Sequence, residues 1–212
     1  MTEKRIQKIK EVLSRRQTDL TVVMDNIHKP QNMAAIARTC DAVGIPEIHV
    51  VANYKRHSFL NAKSAAGCKK WIKTVSYKTV EDAYANLKDK GFQILAAHFS
   101  EKAQPFRSFD YTGPTAIVVG SELKGMSETA ANLADQHIII PMMGMSQSLN
   151  VSVAAALILF EAQRQREEKG MYERDPLESY KFPLEWVYPS VAKKYRIRNL
   201  ELPEIEENGN II

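Results

Sequence analysis

Six short runs rich in β-branched and aliphatic residues, with segments of helical character between them, constrain this chain more than any other feature. They are TVVMDNI (21–27), EIHVVA (47–52), IKTVSY (72–77), QILAAHF (93–99), TAIVVG (115–120) and HIIIPM (137–142). Strands that alternate with helices are joined by crossovers, and crossovers lay helices over both faces of a mostly parallel sheet. The fold class is therefore α/β. An apolar fraction of 44% over 212 residues is enough to build its core.

The helical segments carry their own punctuation. Asn32, after Lys29, Pro30 and Gln31, is a candidate N-cap. Met33, Ile36, Ala37, Cys40 and Val43 then form one apolar stripe, Arg38 points away from it, and Gly44 supplies a left-handed stop. A second helix is expected over 79–90, closed by Gly91, and a short third over 127–134. Residues 151–160 are almost wholly apolar, so the helix they form should have no solvated face and should lie in the core, in a subunit interface, or in both. It turns polar only over 161–169.

Residues 4–16 place Ile6, Ile9, Val12 and Leu13 at helical spacing and leave basic side chains on the other faces. A further helix is expected around 184–198, and the acidic last dozen residues, ELPEIEENGNII, lack periodicity and should be poorly ordered. The organisation read from these features is a basic amino-terminal helix (1–18), a catalytic domain (19–170) and a carboxyl-terminal extension with an acidic tail (171–212).

A net charge of +4 is modest, but the basic residues cluster at the two ends. Lys4, Arg5, Lys8, Lys10, Arg15 and Arg16 lie near the start, and Lys193, Lys194, Arg196 and Arg198 near the finish. Solvated helix faces look the same, so charge alone does not establish a polyanionic partner. No window approaches the run of about 18 apolar residues that a membrane span needs. The amino terminus, MTEKRIQKIK, is charged where a signal peptide would be apolar, so a cytoplasmic protein is expected. Cys40 and Cys68 make neither a disulfide framework nor a metal pattern.

Polar residues and glycines concentrate at the predicted carboxyl ends of strands, where open parallel sheets bind ligands. Three segments stand out: HKPQNMAAIAR (28–38), GSELKGMS (120–127) and PMMGMSQSLNVSVA (141–154). The second resembles a phosphate loop until Met126, which occupies the position of the essential lysine. No GxGxxG, HExxH or CxxC pattern is present. In the third segment Ser148 or Asn150 would by itself be explained as a helix cap.

Taken in chain order, the three segments resemble the TrmH (SpoU) family of tRNA ribose 2'-O-methyltransferases within the SPOUT superfamily. The matching motifs are NMAAIAR (32–38), VGSELKG (119–125) and IPMMGMSQSLNVSVA (140–154), and the likeness runs from about residue 4 to 175. It departs at Ser121, where many members have Asn or Gln, and after about residue 176. The resemblance implies a carboxyl-terminal trefoil knot and a homodimer packed knot to knot. It implies S-adenosylmethionine as methyl donor, held by Ala97, Gly120, Ile140 and Leu149. It also implies Arg38 as the central polar residue, with Asn32, Glu122, Ser148 and Asn150 around it, and no metal. The substrate it points to is a guanosine in the tRNA D-loop, conventionally position 18.

A guanidinium is effectively never deprotonated in proteins, so Arg38 is read as gripping a phosphate and stabilising developing alkoxide rather than as a base. RNA contacts are expected from Lys8, Arg15, Arg16, Lys193 and Arg196, with no role for DNA or membrane. The alternatives are a ribosomal RNA ribose methyltransferase and a non-catalytic RNA-binding relative. The first is disfavoured because only about twenty residues precede the first strand, where such members usually carry a further domain. The second does not require Asn32, Arg38, Glu122, Ser148 and Asn150 together.

Overall fold

A computed structural model of the chain describes residues 3–51, 71–121, 125–173, 184–206 and 210–211; Glu122 and Cys68 lie outside them. The chain divides into two compact units, Gln17–Lys169 and Met1–Arg16 with Gly170–Ile212. The second joins the two chain ends that the sequence shows only as separate basic extensions.

In the larger unit seven described strands form one sheet: β1 (Leu20–Asp25), β2 (Glu47–Val51), β3 (Lys73–Tyr77), β4 (Gln93–Ala97), β5 (Gln104–Pro105), β6 (Thr115–Val119) and β7 (Gln136–Ile139). Their order is β3-β2-β1-β6-β4-β7-β5, and every pairing is parallel. Six of the seven are the runs singled out above. The seventh, β5, is two residues at an edge, too short to carry a periodic signal.

The two-residue pleat sorts side chains to opposite faces. Val22, Met24, Leu95, Ile117, Val119 and Ile138 join a core with helices α2 (Pro30–Ala42) and α5 (Val151–Glu168). Val23, Ile94, Ala96, Ala116 and Val118 join a second core on the other face, with α3 (Val80–Asp89) and α4 (Glu128–Leu133). Each fully buried aliphatic side chain in these layers contributes about 1.5–3 kcal/mol.

The expected stripe of α2 is buried throughout, and Gly44 takes φ +84°. Its start differs from expectation. Pro30 holds the first helical position and Lys29 the cap, so Asn32 lies inside the first turn and is buried. Proline's fixed φ and missing N–H suit it to that first position, and the helix therefore begins before the asparagine. Thr79 and Ser127 cap α3 and α4 through their side-chain oxygens. The helix expected over 184–198 is two helices in the smaller unit, α6 (Leu184–Val187) and α7 (Pro189–Ile197). Pro189 cannot supply the N–H that would join them. The acidic tail is not wholly without structure: Ile205 is buried and pairs with Ile211 across an isolated antiparallel bridge.

In helix α5 one apolar face lies in the core and another does not. Val151, Ala155, Ile158, Leu159 and Ala162 are buried. Val153, Leu157 and Phe160, at i, i+4 and i+7, are 47%, 41% and 52% exposed, so one apolar stripe of the helix faces out of the chain. Farther along, Arg166 is 0% exposed. Its Nε donates to Tyr111 O, its Nη1 to Gln17 Oε1 and Asp19 Oδ1, and its Nη2 to Asp19 O and Gly113 O. All five N–H groups of the guanidinium are thereby satisfied, which is the condition for burying that charge. The carboxyl end of α5 is thus tied to the segments that lead into β1 and β6.

In the smaller unit, α1 (Glu3–Ser14) ends just before Arg16, whose guanidinium lies 5.2 Å from the centroid of the Trp186 ring. Arg5 Nη2 donates to Trp186 O at 2.9 Å.

Candidate active site

Parallel pairing fixes which loops emerge together. Met24 is level with Val119, Ala96 with Val118, and Ala97 with Ile138. The next residues along, Asp25, Gly120, His98 and Ile139, therefore stand in one row at the carboxyl edge of the sheet, with strands about 4.8 Å apart. All three polar segments open from this row.

The first and third segments meet directly. Asn150 caps α5: its Oδ1 accepts from Ser152 N at 2.9 Å and from Ser152 Oγ at 2.6 Å. Its Nδ2 donates to Asn32 Oδ1 at 3.3 Å, across 118 positions of sequence. One amide thus performs the capping expected from the sequence and a bridge to α2 that the sequence did not suggest. The second segment is held from β1, where fully buried Asp25 accepts Ser127 N on Oδ2 at 2.7 Å and Asn26 Nδ2 on Oδ1 at 2.8 Å. Sequence reasoning passed over Asp25, although a carboxylate that ends an otherwise apolar strand was a visible signal.

Gly120 is required by its surroundings. A Cβ there would lie 2.4 Å from Met126 N and 2.6 Å from Gly125 C, both backbone atoms. Next to this close approach, Ser121 and Gly125 exchange backbone hydrogen bonds of 2.9 Å. Ala97 and Ile140 are half-buried and pack against the α2/α5 core. Leu149 is half-buried too. The four positions expected to hold a donor are therefore small or aliphatic, and Ala97, Gly120 and Ile140 lie at or just past the carboxyl ends of β4, β6 and β7.

Arg38 is exposed on α2, two turns after Asn32, and Ser148 is exposed in the loop before α5. Glu122 lies outside the described residues. Among the expected RNA contacts, Lys8, Arg15, Lys193 and Arg196 are exposed, and Lys8 pairs with Glu11 at 3.2 Å. Arg16 differs from them in burial: it is 7% exposed, with its guanidinium over the Trp186 ring.

Beyond β4, a cluster absent from the sequence reading pins the loop. His98 N donates to Ile138 O at 3.2 Å. His137 is buried on β7 and donates from Nε2 to Ala131 O at 2.8 Å. Its Nδ1 must then accept, and it takes the Ser100 hydroxyl at 2.7 Å. The His98 ring meets His137 edge-on, centroids 5.2 Å apart. Burial first, then His137 and Lys102, hold His98 below its ordinary value of 6.5.

At the other end of the sheet, a small cavity lined by Thr21, Glu47, His49, Leu87 and Lys90 among others contains none of the expected residues. No described helix is long and apolar enough to cross a membrane.

Residues 19–160 match the SpoU rRNA methylase family and residues 164–212 its carboxyl-terminal region. The chain is similar to the tRNA (guanosine(18)-2'-O)-methyltransferase of Escherichia coli K12, 48% identical over 216 aligned residues that cover 100% of this chain and 94% of that one. Among solved structures it resembles the TrmH/SpoU tRNA-modifying enzyme of A. aeolicus, with TM-score 0.78, 42% identity and coverage of 94% and 98% of the two chains. It also resembles the SpoU methyltransferase AviRb of Streptomyces viridochromogenes in complex with AdoMet, with TM-score 0.64, 26% identity and coverage of 71% and 59%.

Proposed function

Since the chain belongs to the SpoU methylase family, we propose that it uses S-adenosylmethionine to methylate the ribose 2'-hydroxyl of guanosine 18 in the tRNA D-loop. The observation that carries this reading is the likeness, over the full length of the chain, to an enzyme named for that reaction. The hydrogen bond between Asn32 and Asn150, which joins the first polar segment to the third, supports a site at this edge of the sheet.

Ala97, Gly120, Ile140 and Leu149 would hold the donor, the close backbone approach at Gly120 giving main-chain access. When bound, S-adenosylmethionine supplies an electrophilic methyl group on a positively charged sulfur, so the electrophile needs little further activation. The weak partner is the hydroxyl, which must be positioned and relieved of its proton. Arg38, exposed and always charged, grips the adjacent phosphate and stabilises negative charge on the ribose oxygen. Asn32 and Asn150 keep the start of α2 against the start of α5, which fixes the position of Arg38. Ser148, exposed in the loop before α5, would contact the ribose, and the role that the resemblance gives Glu122 is to hold Arg38.

The exposed stripe Val153, Leu157 and Phe160 supports a homodimer that buries it. Leu157→Glu should then shift the sedimenting species from dimer to monomer. Family membership also supports a trefoil threading of the residues around α5, and an experimental backbone trace that pulls straight from its ends would refute it. Exposed Lys8, Arg15, Lys193 and Arg196 fit phosphate contacts.

Incubation with bulk tRNA, separate ribosomal RNA and methyl-labelled donor, followed by mapping of the label, tests the function. Label at the 2'-oxygen of guanosine 18 is expected. Label confined to ribosomal RNA, on a base, or absent altogether overturns it.

A further inference from the structure

Phe99 is 86% exposed, an unusual position for a phenylalanine. The loop that carries it is not loose. Its two neighbours, His98 and Ser100, both contact His137, one ring against ring and the other through a hydroxyl hydrogen bond. His98 N is also bonded to Ile138 O. That bond continues the β4–β7 ladder one residue past β4, and with the side chains of 98 and 100 both turned to His137 the side chain between them is sent to the other side. His137 lies on the α4 side, where it bonds Ala131 O. Phe99 is therefore presented on the side of Ala97 and Ile140, which pack on the α2/α5 core.

The loop after β7, next to that after β4, exposes Met143 at 95% and Met145 at 100%. An exposed aromatic ring on an anchored loop and two thioethers thus border the edge from which Gly120 and the loop before α2 open. Lys102 is exposed on the Phe99 segment beside Glu101, while Arg107, farther along, lies over the Phe106 ring and interacts with Glu161. An aromatic face beside a cationic side chain is the arrangement that takes an unpaired nucleobase together with its phosphate.

We propose that Phe99 is the stacking platform for the base of the nucleotide being methylated, with Lys102 on a neighbouring phosphate. This rests on the reading of the chain as an RNA ribose methyltransferase and adds the residue that holds the base. Stacking fixes the plane of the base and, through the glycosidic bond, the direction of the ribose hydroxyl. Any base offers a π-face, so Phe99 supplies orientation rather than base identity.

The test compares unaltered protein with Phe99→Ala and Phe99→Trp. Phe99→Ala should lower kcat/KM for tRNA roughly 5- to 150-fold, the range of one base–aromatic stack, and Phe99→Trp should recover most of it. Affinity for S-adenosylhomocysteine by calorimetry, the thermal midpoint and the sedimentation coefficient should not move. A tRNA with 2-aminopurine at the methylated position should lose fluorescence on binding the unaltered protein and the Trp variant, but not the Ala variant.

Equal kcat/KM and equal quenching for all three proteins overturn the proposal. So does a changed sedimentation coefficient in Phe99→Ala, which would give the ring to a second copy of the chain, or a lost affinity for S-adenosylhomocysteine, which would give it to the donor. If the unaltered protein methylates no tRNA, the proposed function is what fails, and the quenching comparison still judges Phe99.

Discussion

Arg166 offers the sharpest test of how the site is held. Replacing it with Met keeps an unbranched, mostly apolar stem but removes the guanidinium, a 0% exposed charge, and all five of its hydrogen bonds. Taking away one partner of a buried ion pair costs about 3–5 kcal/mol, chiefly because the remaining groups are left unpaired. The Asp19 side chain is 27% exposed and partly recovers water, which lowers the figure. The carbonyls of Tyr111 and Gly113 lose charged donors, which raises it by about 1 kcal/mol each. A loss of about 4 kcal/mol is expected. At about 2–4 °C per kcal/mol for a protein of this size, the thermal midpoint should fall by about 8–16 °C. Arg166→Lys keeps the charge but offers at most three donors, and should cost about half as much. Equilibrium urea unfolding, checked by circular dichroism and fluorescence together, gives the numbers. A Met variant within 1 kcal/mol of the unaltered protein would refute the account of α5 as anchored through this guanidinium.

His49 should make stability depend on pH, because burial outweighs Glu47 and, with Lys90 and Lys73, pushes it down to about 4. The unfolded chain takes up the proton first, so this contribution is complete above pH 6.5 and is lost as pH falls to about 4, about 3 kcal/mol in all. His49→Gln should flatten that part of the urea-unfolding profile, and an unchanged slope would contradict the assignment. Gly120→Ala should destabilise the protein by about 1–3 kcal/mol and weaken S-adenosylhomocysteine binding in calorimetry, since the atoms it would strike are backbone. Arg38→Lys should fold normally yet lose about 10²- to 10³-fold in single-turnover rate; near-normal turnover would remove Arg38 from its role. Arg15→Ala should reduce the salt dependence of tRNA binding by about one phosphate contact. Arg16→Ala should instead lower the thermal midpoint, by about 0.5–2 kcal/mol of lost cation–π contact. The reverse pattern would exchange the two residues' roles.

Much of this molecule is written in contiguous stretches of chain. Six strands, the buried stripe of α2, the caps Thr79 and Ser127 and the left-handed Gly44 and Gly91 follow from periodicity and turn chemistry, which act over a few residues and leave a local trace. The three loops of the site were legible too, because a parallel sheet sends its binding loops to one edge. What each residue does there was less so. Asn32 read as a cap and proved to be the bridge to Asn150; Arg16 read as a surface charge and lies stacked on Trp186; α5 read as apolar all round and leaves one stripe uncovered. Arg166 looked like one more polar residue at the end of a helix, and His98 and Ser100 like ordinary loop. Their roles depend on partners tens to more than a hundred positions away, among them Asp19, Gly113, His137 and Asn150. No local period records such pairings. They exist only once the crossover connections have brought the strands into the order β1-β6-β4-β7, and burial then decides which polar groups must find one another.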